Sequence, residues 1–174
     1  MIRRSFSTLC CLSTLLAAAC RPPAPPAAPQ PIENRALGLR WSELPAGVTV
    51  ATNQGSTLEL RAEDAAIALA VAAEDPARVD LVAVTKAYRD VVEGEGGKVL
   101  GAAQLVAPTG PAYTTRAERA GSEERSIFFL HPDGGGRLVI LTSRYPTSDP
   151  AGAKQRMETL LELVATLEAL PPEN

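Results

Sequence analysis

This 174-residue chain has one histidine and three cysteines, and its aromatic residues number only seven: three Phe, three Tyr and one Trp. All three cysteines (Cys10, Cys11, Cys20) fall within the first twenty residues. Beyond them, His131 is the sole strong nitrogen ligand and no thiolate remains, so zinc, copper and haem lose their usual ligands and no cofactor is expected. Cysteine nucleophiles are excluded for the same reason, and a Ser-His-Asp triad would need His131 as its base. The scarcity of aromatics removes the stacking platforms used to bind sugars, leaving Trp41 and Tyr145 as the candidate exposed exceptions. Lysine is rare as well, three against fourteen arginines. Leaving out Arg3 and Arg4, 15 basic side chains face 20 acidic ones, a formal charge of −5. With no basic run, nucleic acid is not an expected partner. A long apolar run is also missing. The uncharged stretch at residues 6–19 would span about 21 Å as a helix, short of the ~30 Å hydrocarbon core.

What is present at the start is an ordered set of signals. Arg3 and Arg4 precede the apolar stretch, Ala17, Ala18 and Ala19 end it, and Cys20 follows. This pattern predicts an export signal over residues 1–19 with cleavage between Ala19 and Cys20. It resembles the lipobox of bacterial lipoproteins, in which the cysteine thiol is diacylated. Ala17 stands where that family usually has leucine, and Leu16 lies one position earlier. The resemblance implies lipid attachment at Cys20 and a membrane partner reached through that anchor. Two or three acyl chains hold a protein stably, whereas one holds it marginally. Arg21 at the second position of the mature chain, where aspartate would favour inner-membrane retention in that family, implies a cell-envelope protein of the outer membrane. An ordinary secretory signal that leaves Cys20 as an unpaired thiol is the alternative.

A tether follows. Residues 22–31 hold six prolines, which fix φ and remove donors, so this stretch is expected as an extended spacer of roughly 30 Å. With Cys20 it forms a segment over residues 20–35. Residues 36–171 then suffice for one domain with a full core.

The domain reads as α+β. Leu37, Leu39 and Trp41 alternate, and Val48-Thr49-Val50 begins another strand. Asn53-Gln54-Gly55 signals a hairpin into Leu58 and Leu60, and Ile67, Leu69 and Val71 keep period two. Asp75-Pro76 predicts a helix start, with Leu81, Val84, Tyr88, Val91 and Val92 on its buried face and Gly94 at its end. Strands are expected near residues 98–106, 113–119, 125–131 and 137–145. A long C-terminal helix opening at Asp149-Pro150 carries Met157, Leu160, Leu161, Val164 and Leu167. Ile127-Phe128-Phe129-Leu130 and Leu138-Val139-Ile140-Leu141 are apolar on successive residues, so both faces of the antiparallel sheet must be covered, by one helix each. This order of early hairpins, middle helix, meandering strands and final helix resembles the PsbP-like α/β/α sandwich. The resemblance implies a non-enzymatic domain that docks onto larger assemblies.

Local motifs offer little chemistry. His131-Pro132-Asp133 matches the tripeptide of J-domain co-chaperones but leads into Gly134, Gly135 and Gly136, which predicts a hairpin loop. Ser126 and Ser143 are the candidate nucleophiles for His131, with no Gly-x-Ser-x-Gly elbow to hold either. Gly94-Glu95-Gly96-Gly97-Lys98 lies between helix and strand, the reverse of a phosphate loop, and Val99 replaces the magnesium-binding Ser or Thr. Glu63-Asp64 and Glu123-Glu124 are expected at solvated turns. The expected function is that of a lipid-anchored adaptor binding a protein partner in the envelope. The alternatives are a module holding a small or lipidic ligand between sheet and helix, and a hydrolase using His131.

Overall fold

The computed structural model describes residues 31–63, 65–72, 79–147 and 152–171. Cys20, its flanking signal and nearly all of the proline tether lie outside them, as do Asp75-Pro76 and Asp149-Pro150. Among the described residues, ten strands and two helices follow in order: β1 (Ile32–Asn34), β2 (Leu39–Trp41), β3 (Val48–Gln54), β4 (Thr57–Ala62), β5 (Ala65–Ala72), α1 (Leu81–Gly94), β6 (Lys98–Ala107), β7 (Gly110–Arg119), β8 (Ser122–Leu130), β9 (Leu138–Pro146), α2 (Ala153–Ala165) and β10 (Leu167–Ala169). Seven strands form one antiparallel sheet in the order β3-β4-β5-β9-β8-β7-β6, and β1-β2-β10 form a second, small sheet. The architecture is an antiparallel sheet with a helix on each face, as the apolar runs at 127–130 and 138–141 predicted.

Alternation along β8 explains the two layers. Ile127 and Phe129 enter the larger core with Leu58, Leu60, Leu141, Leu160 and Leu163. Phe128 points the other way, into a second cluster with Leu81 and Leu138, where its ring meets Tyr88 edge-on at 5.2 Å. Thus α2 covers one face of the sheet and α1, lying over β6, β7 and β8, covers the other.

Both helices differ in detail from expectation. The described helix α1 starts at Leu81, capped by Asp80, whose carboxylate accepts from the Val82 and Ala83 amides at 2.9 and 3.2 Å. An N-cap bond of this kind satisfies donors that the first turn leaves orphaned. Val91, assigned to the buried stripe, is 53% exposed, while Thr85 lies inside and bonds back to the Leu81 carbonyl. Helix α2 ends at Ala165, and Leu167 begins β10 rather than continuing the helix. Leu161 is at the surface, and Leu163 takes the buried place expected of it. The β10 strand turns back onto β2, pairing Leu167 with Trp41. Trp41, read as a candidate exposed ring, is 1% exposed, and its indole N–H donates to the Leu163 carbonyl at 2.9 Å. That bond joins the small sheet to α2.

Candidate functional site

Strand β8 opens with two carboxylates that the sequence suggested were solvated in a turn. Instead Glu123 and Glu124 are 7% and 3% exposed. The turn itself is Ala120-Gly121, both at positive φ, and it ends one residue before them. Because strand neighbours point to opposite faces, each carboxylate builds its own cluster.

On the α2 face, Arg116 donates to both oxygens of Glu123, at 2.6 and 2.7 Å, and the Tyr145 hydroxyl donates to the same carboxylate. The Arg125 guanidinium lies 3.5 Å away. Arg156 stacks over the Tyr145 ring at 4.0 Å. Tyr145 is therefore buried beneath α2, not the exposed ring that was expected.

On the α1 face, Arg144 donates twice to Glu124, at 3.1 and 2.5 Å, with Arg119 at 3.5 Å. The Tyr88 hydroxyl donates to Glu124 and accepts from Ser126 at 3.1 Å; Ser126 also bonds Thr142 at 3.0 Å. Arg119 pairs as well with Glu95 at the end of α1, closing that helix onto the sheet.

Burial works to raise both glutamates. On Glu123 it is outweighed by the Arg116 and Tyr145 bonds and the Arg116 and Arg125 charges, and its pKa falls below the ordinary value. On Glu124 the Tyr88 and Arg144 bonds and the Arg144 and Arg119 charges do the same. Desolvation and the Glu124 bond push Tyr88 up to about 12, and desolvation with the Glu123 bond raises Tyr145. At neutral pH the carboxylates are ionised and the phenols are protonated. Since the carboxylates face opposite sides of the sheet, they cannot flank one scissile bond as an acid–base pair. The clusters hold strands and helices together.

His131 is 1% exposed. Its Nε2 lies 3.1 Å from the Leu37 carbonyl, and the Asp133 amide donates to its Nδ1 at 3.2 Å. Asp133 accepts from Arg137 at 2.8 Å and from the Gly135 amide at 2.8 Å, which together with the nearby histidine hold its carboxyl below the usual range against the effect of burial. The tripeptide therefore closes the β8–β9 hairpin as predicted, and ties it to the β1–β2 turn. Gly38 in that turn allows the approach: a Cβ there would lie 3.1 Å from Arg137 Nη2, at a φ of +72°. Ser126 is engaged by Tyr88 and Thr142, and Ser143 sits opposite Arg125 on β9. Neither serine is brought to His131 in the way a triad requires. Gly94 to Lys98 is the connector from α1 to β6, with Gly97 packed against Val92.

A cleft does open between the sheet and α2, lined by Ala62, Ile67, Ser143, Gln155, Arg156 and Thr159, but its volume is about 40 Å³. That is room for a water or two, far below the several hundred cubic ångströms of a small-molecule site. Among the described residues, no group of three or more His, Cys, Asp or Glu could hold a metal ion, and no helix is long and apolar enough to cross a membrane.

The surface is the part that sequence reading missed. Apolar side chains stand out on α1 (Val82, 56% exposed) and on the sheet edge β6 (Val106, 90% exposed; Leu100, 37%). The faintness of the periodicity in residues 98–107 was the available signal.

Among solved structures, the fold is similar to cyanobacterial PsbP (CyanoP) from Synechocystis sp. PCC 6803, with a TM-score of 0.51 at 11% identity over 88% of this chain and 98% of that one. It is similar too to the Ran-binding protein Mog1p of Saccharomyces cerevisiae, with a TM-score of 0.50 at 11% identity over 81% of this chain and 95% of that one. At such identity the likeness shows the fold alone. No protein-family model matches the chain, and no curated protein does.

Proposed function

We propose that this chain is a lipid-anchored cell-envelope protein whose PsbP-like domain binds a protein partner and catalyses nothing. One observation carries the reading. The side chains with chemistry to offer (Glu123, Glu124, Tyr88, Tyr145 and His131) are spent on internal bonds, while apolar Val82 and Val91 of α1 are left at the surface. Such a distribution suits recognition by contact rather than turnover. The likeness of the fold to the Ran-binding protein Mog1p is in keeping with it. Cys20, preceded by three alanines and followed by the proline spacer, supplies the anchor, and the outer membrane is the proposed site.

Two measurements test the parts separately. Cys20→Ser should move the protein from the membrane to the soluble fraction, and retention at wild-type levels refutes the anchor. Envelope cross-linking followed by affinity capture should recover a consistent partner that is lost on Val82→Asp. Failure to recover one refutes the adaptor.

A further inference from the structure

The large sheet ends on β6, whose outer row of amides and carbonyls pairs with nothing in the described chain. Proteins blunt such edges with charge, proline, bulges or a covering segment, because an open edge templates another strand. The opposite edge, β3, is managed in this way. It carries a bulge between Val50 and Thr52, and β1 is bonded to its end. Asn34 donates to the Asn53 side chain, which donates in turn to the Glu33 carbonyl, each at 2.8 Å. Strand β6 has no such protection among the described residues. After Lys98 its sequence runs Val-Leu-Gly-Ala-Ala-Gln-Leu-Val-Ala, nine residues without charge or proline. Its single irregularity lies at the start, between Val99 and Gly101. Residues 100–104 are exposed in succession.

We propose that β6 pairs antiparallel with β6 of a second copy of this chain, joining two sheets across a two-fold axis at Ala103. Three features favour a copy over another occupant. A neutral strand meets itself without placing like charges opposite each other, a penalty that most edges carry. A charged partner strand would find nothing on this edge to neutralise. The side-chain order is also self-complementary about the centre. An axis at Ala103 sets Ala103 against its equivalent, Ala102 against Gln104, and Gly101 against Leu105, all within the regularly paired part of the strand, while Leu100 is the extra residue of the bulge. The small residues lie in the middle, where the backbones must approach, and a Cβ at Gly101 would meet nothing within 4 Å. Antiparallel pairing continues the pattern of the whole sheet, and a two-fold contact is closed, so growth stops at the dimer. An interface of this length is at the small end of the range, under about 1,200 Å², so association is reversible and rises with concentration. The pairing rests on β6 alone and requires neither the anchor nor an outside partner.

The test uses the full chain with Cys10, Cys11 and Cys20 replaced by serine. Adding Ala103→Cys should yield a disulfide-linked dimer on mild oxidation, since directly opposed Cβ atoms lie about 4.5–5.5 Å apart. Ala66→Cys, exposed on β5, should not. In sedimentation of the same serine-substituted chain, Ala103→Lys or Ala103→Glu alone should weaken the dimer roughly tenfold, and mixing the two variants should restore it. A chain that stays monomeric at millimolar concentration overturns the proposal. So does a dimer indifferent to both charges, equal cross-linking through Ala66→Cys, or a monomer that takes up an unrelated extended peptide at β6 instead.

Discussion

Strands β8 and β6 lie two places apart in one sheet and invert the usual rule of what goes inside. Strand β8 carries Glu123, Glu124 and Arg125 in its first half, and both glutamates are buried. Strand β6 is almost wholly uncharged and almost wholly exposed. The difference is one of position. A central strand has neighbours on both sides and helices on both faces, so its ends can hold charge if every carboxylate finds a guanidinium. An edge strand has one neighbour, and of β6 only Leu105 and Ala107 reach the larger core. Burial therefore follows the topology more closely than the polarity of the residues.

The sharpest way to break the comparison is to remove a buried charge from β8. Glu124→Gln gives Tyr88 a neutral amide oxygen in place of a carboxylate and takes the counter-charge from Arg144, while Arg119 keeps Glu95. Breaking a buried pair from one side costs about 3–5 kcal/mol. Here Arg144 is 59% exposed and can rehydrate, so a loss of about 2–3 kcal/mol is expected in urea denaturation. Arg144→Gln should cost more, because it leaves the buried Glu124 anion with only Arg119 and the Tyr88 hydroxyl beside it. Equal costs would mean that Glu124 is not held as a desolvated anion, and the contrast with β6 would fail.

A second test reads the same clusters by titration. Glu123 and Glu124 have folded pKa values below their ordinary 4.5. Their contribution is complete well above pH 4.5 and fades as pH falls through that value toward the lower folded ones. At the other end, Tyr88 is raised from 10.0 to about 12. Its neutral form supports the fold below pH 10, and that support is lost as pH rises through about 12. A thermal melting profile should thus fall away on both sides of a broad plateau. In Glu124→Gln the acid limb should be shallower. A variant with an unchanged acid limb would place the titrating groups elsewhere.

Much of this architecture is legible in the residues. The runs at 127–130 and 138–141 require a sheet covered on both faces, and Asn53, Gly55 and Gly121 mark turns that the fold uses. The carboxylate clusters were not legible, for a definite reason. Glu123-Glu124 follows a glycine turn and reads as part of it, since their partners are scattered in sequence at Tyr88, Arg116, Arg144 and Tyr145. Only pairing of β7, β8 and β9 in register brings these together. Trp41 and Tyr145 misled similarly: each has a polar handle that looks suited to the surface but is met inside, by a carbonyl of α2 and by Glu123. Leu167 continued the helical period, yet the chain leaves α2 at Thr166 to add a third strand to the small sheet. Local periodicity carries no information about such an edge that is waiting to be filled.

The smallest expected effect lies on β6 and runs in the opposite direction. Glycine inside a strand costs backbone entropy and offers nothing to pack. At Gly101 φ is not positive and a Cβ would point into open space, so Gly101→Ala should stabilise the domain by about 0.4–1 kcal/mol by restricting the unfolded chain. The matching change at Gly97 should destabilise it, because a Cβ there would sit 2.9 Å from the Val92 carbonyl. Denaturation midpoints of the two variants at low protein concentration, where the chain is monomeric, separate the cases. If Gly101→Ala lost stability instead, the face of β6 at Gly101 would be crowded within a single copy. A side chain there points out of the sheet plane and leaves the outer row of amides and carbonyls free, so the stabilised variant keeps the edge that a second copy would need.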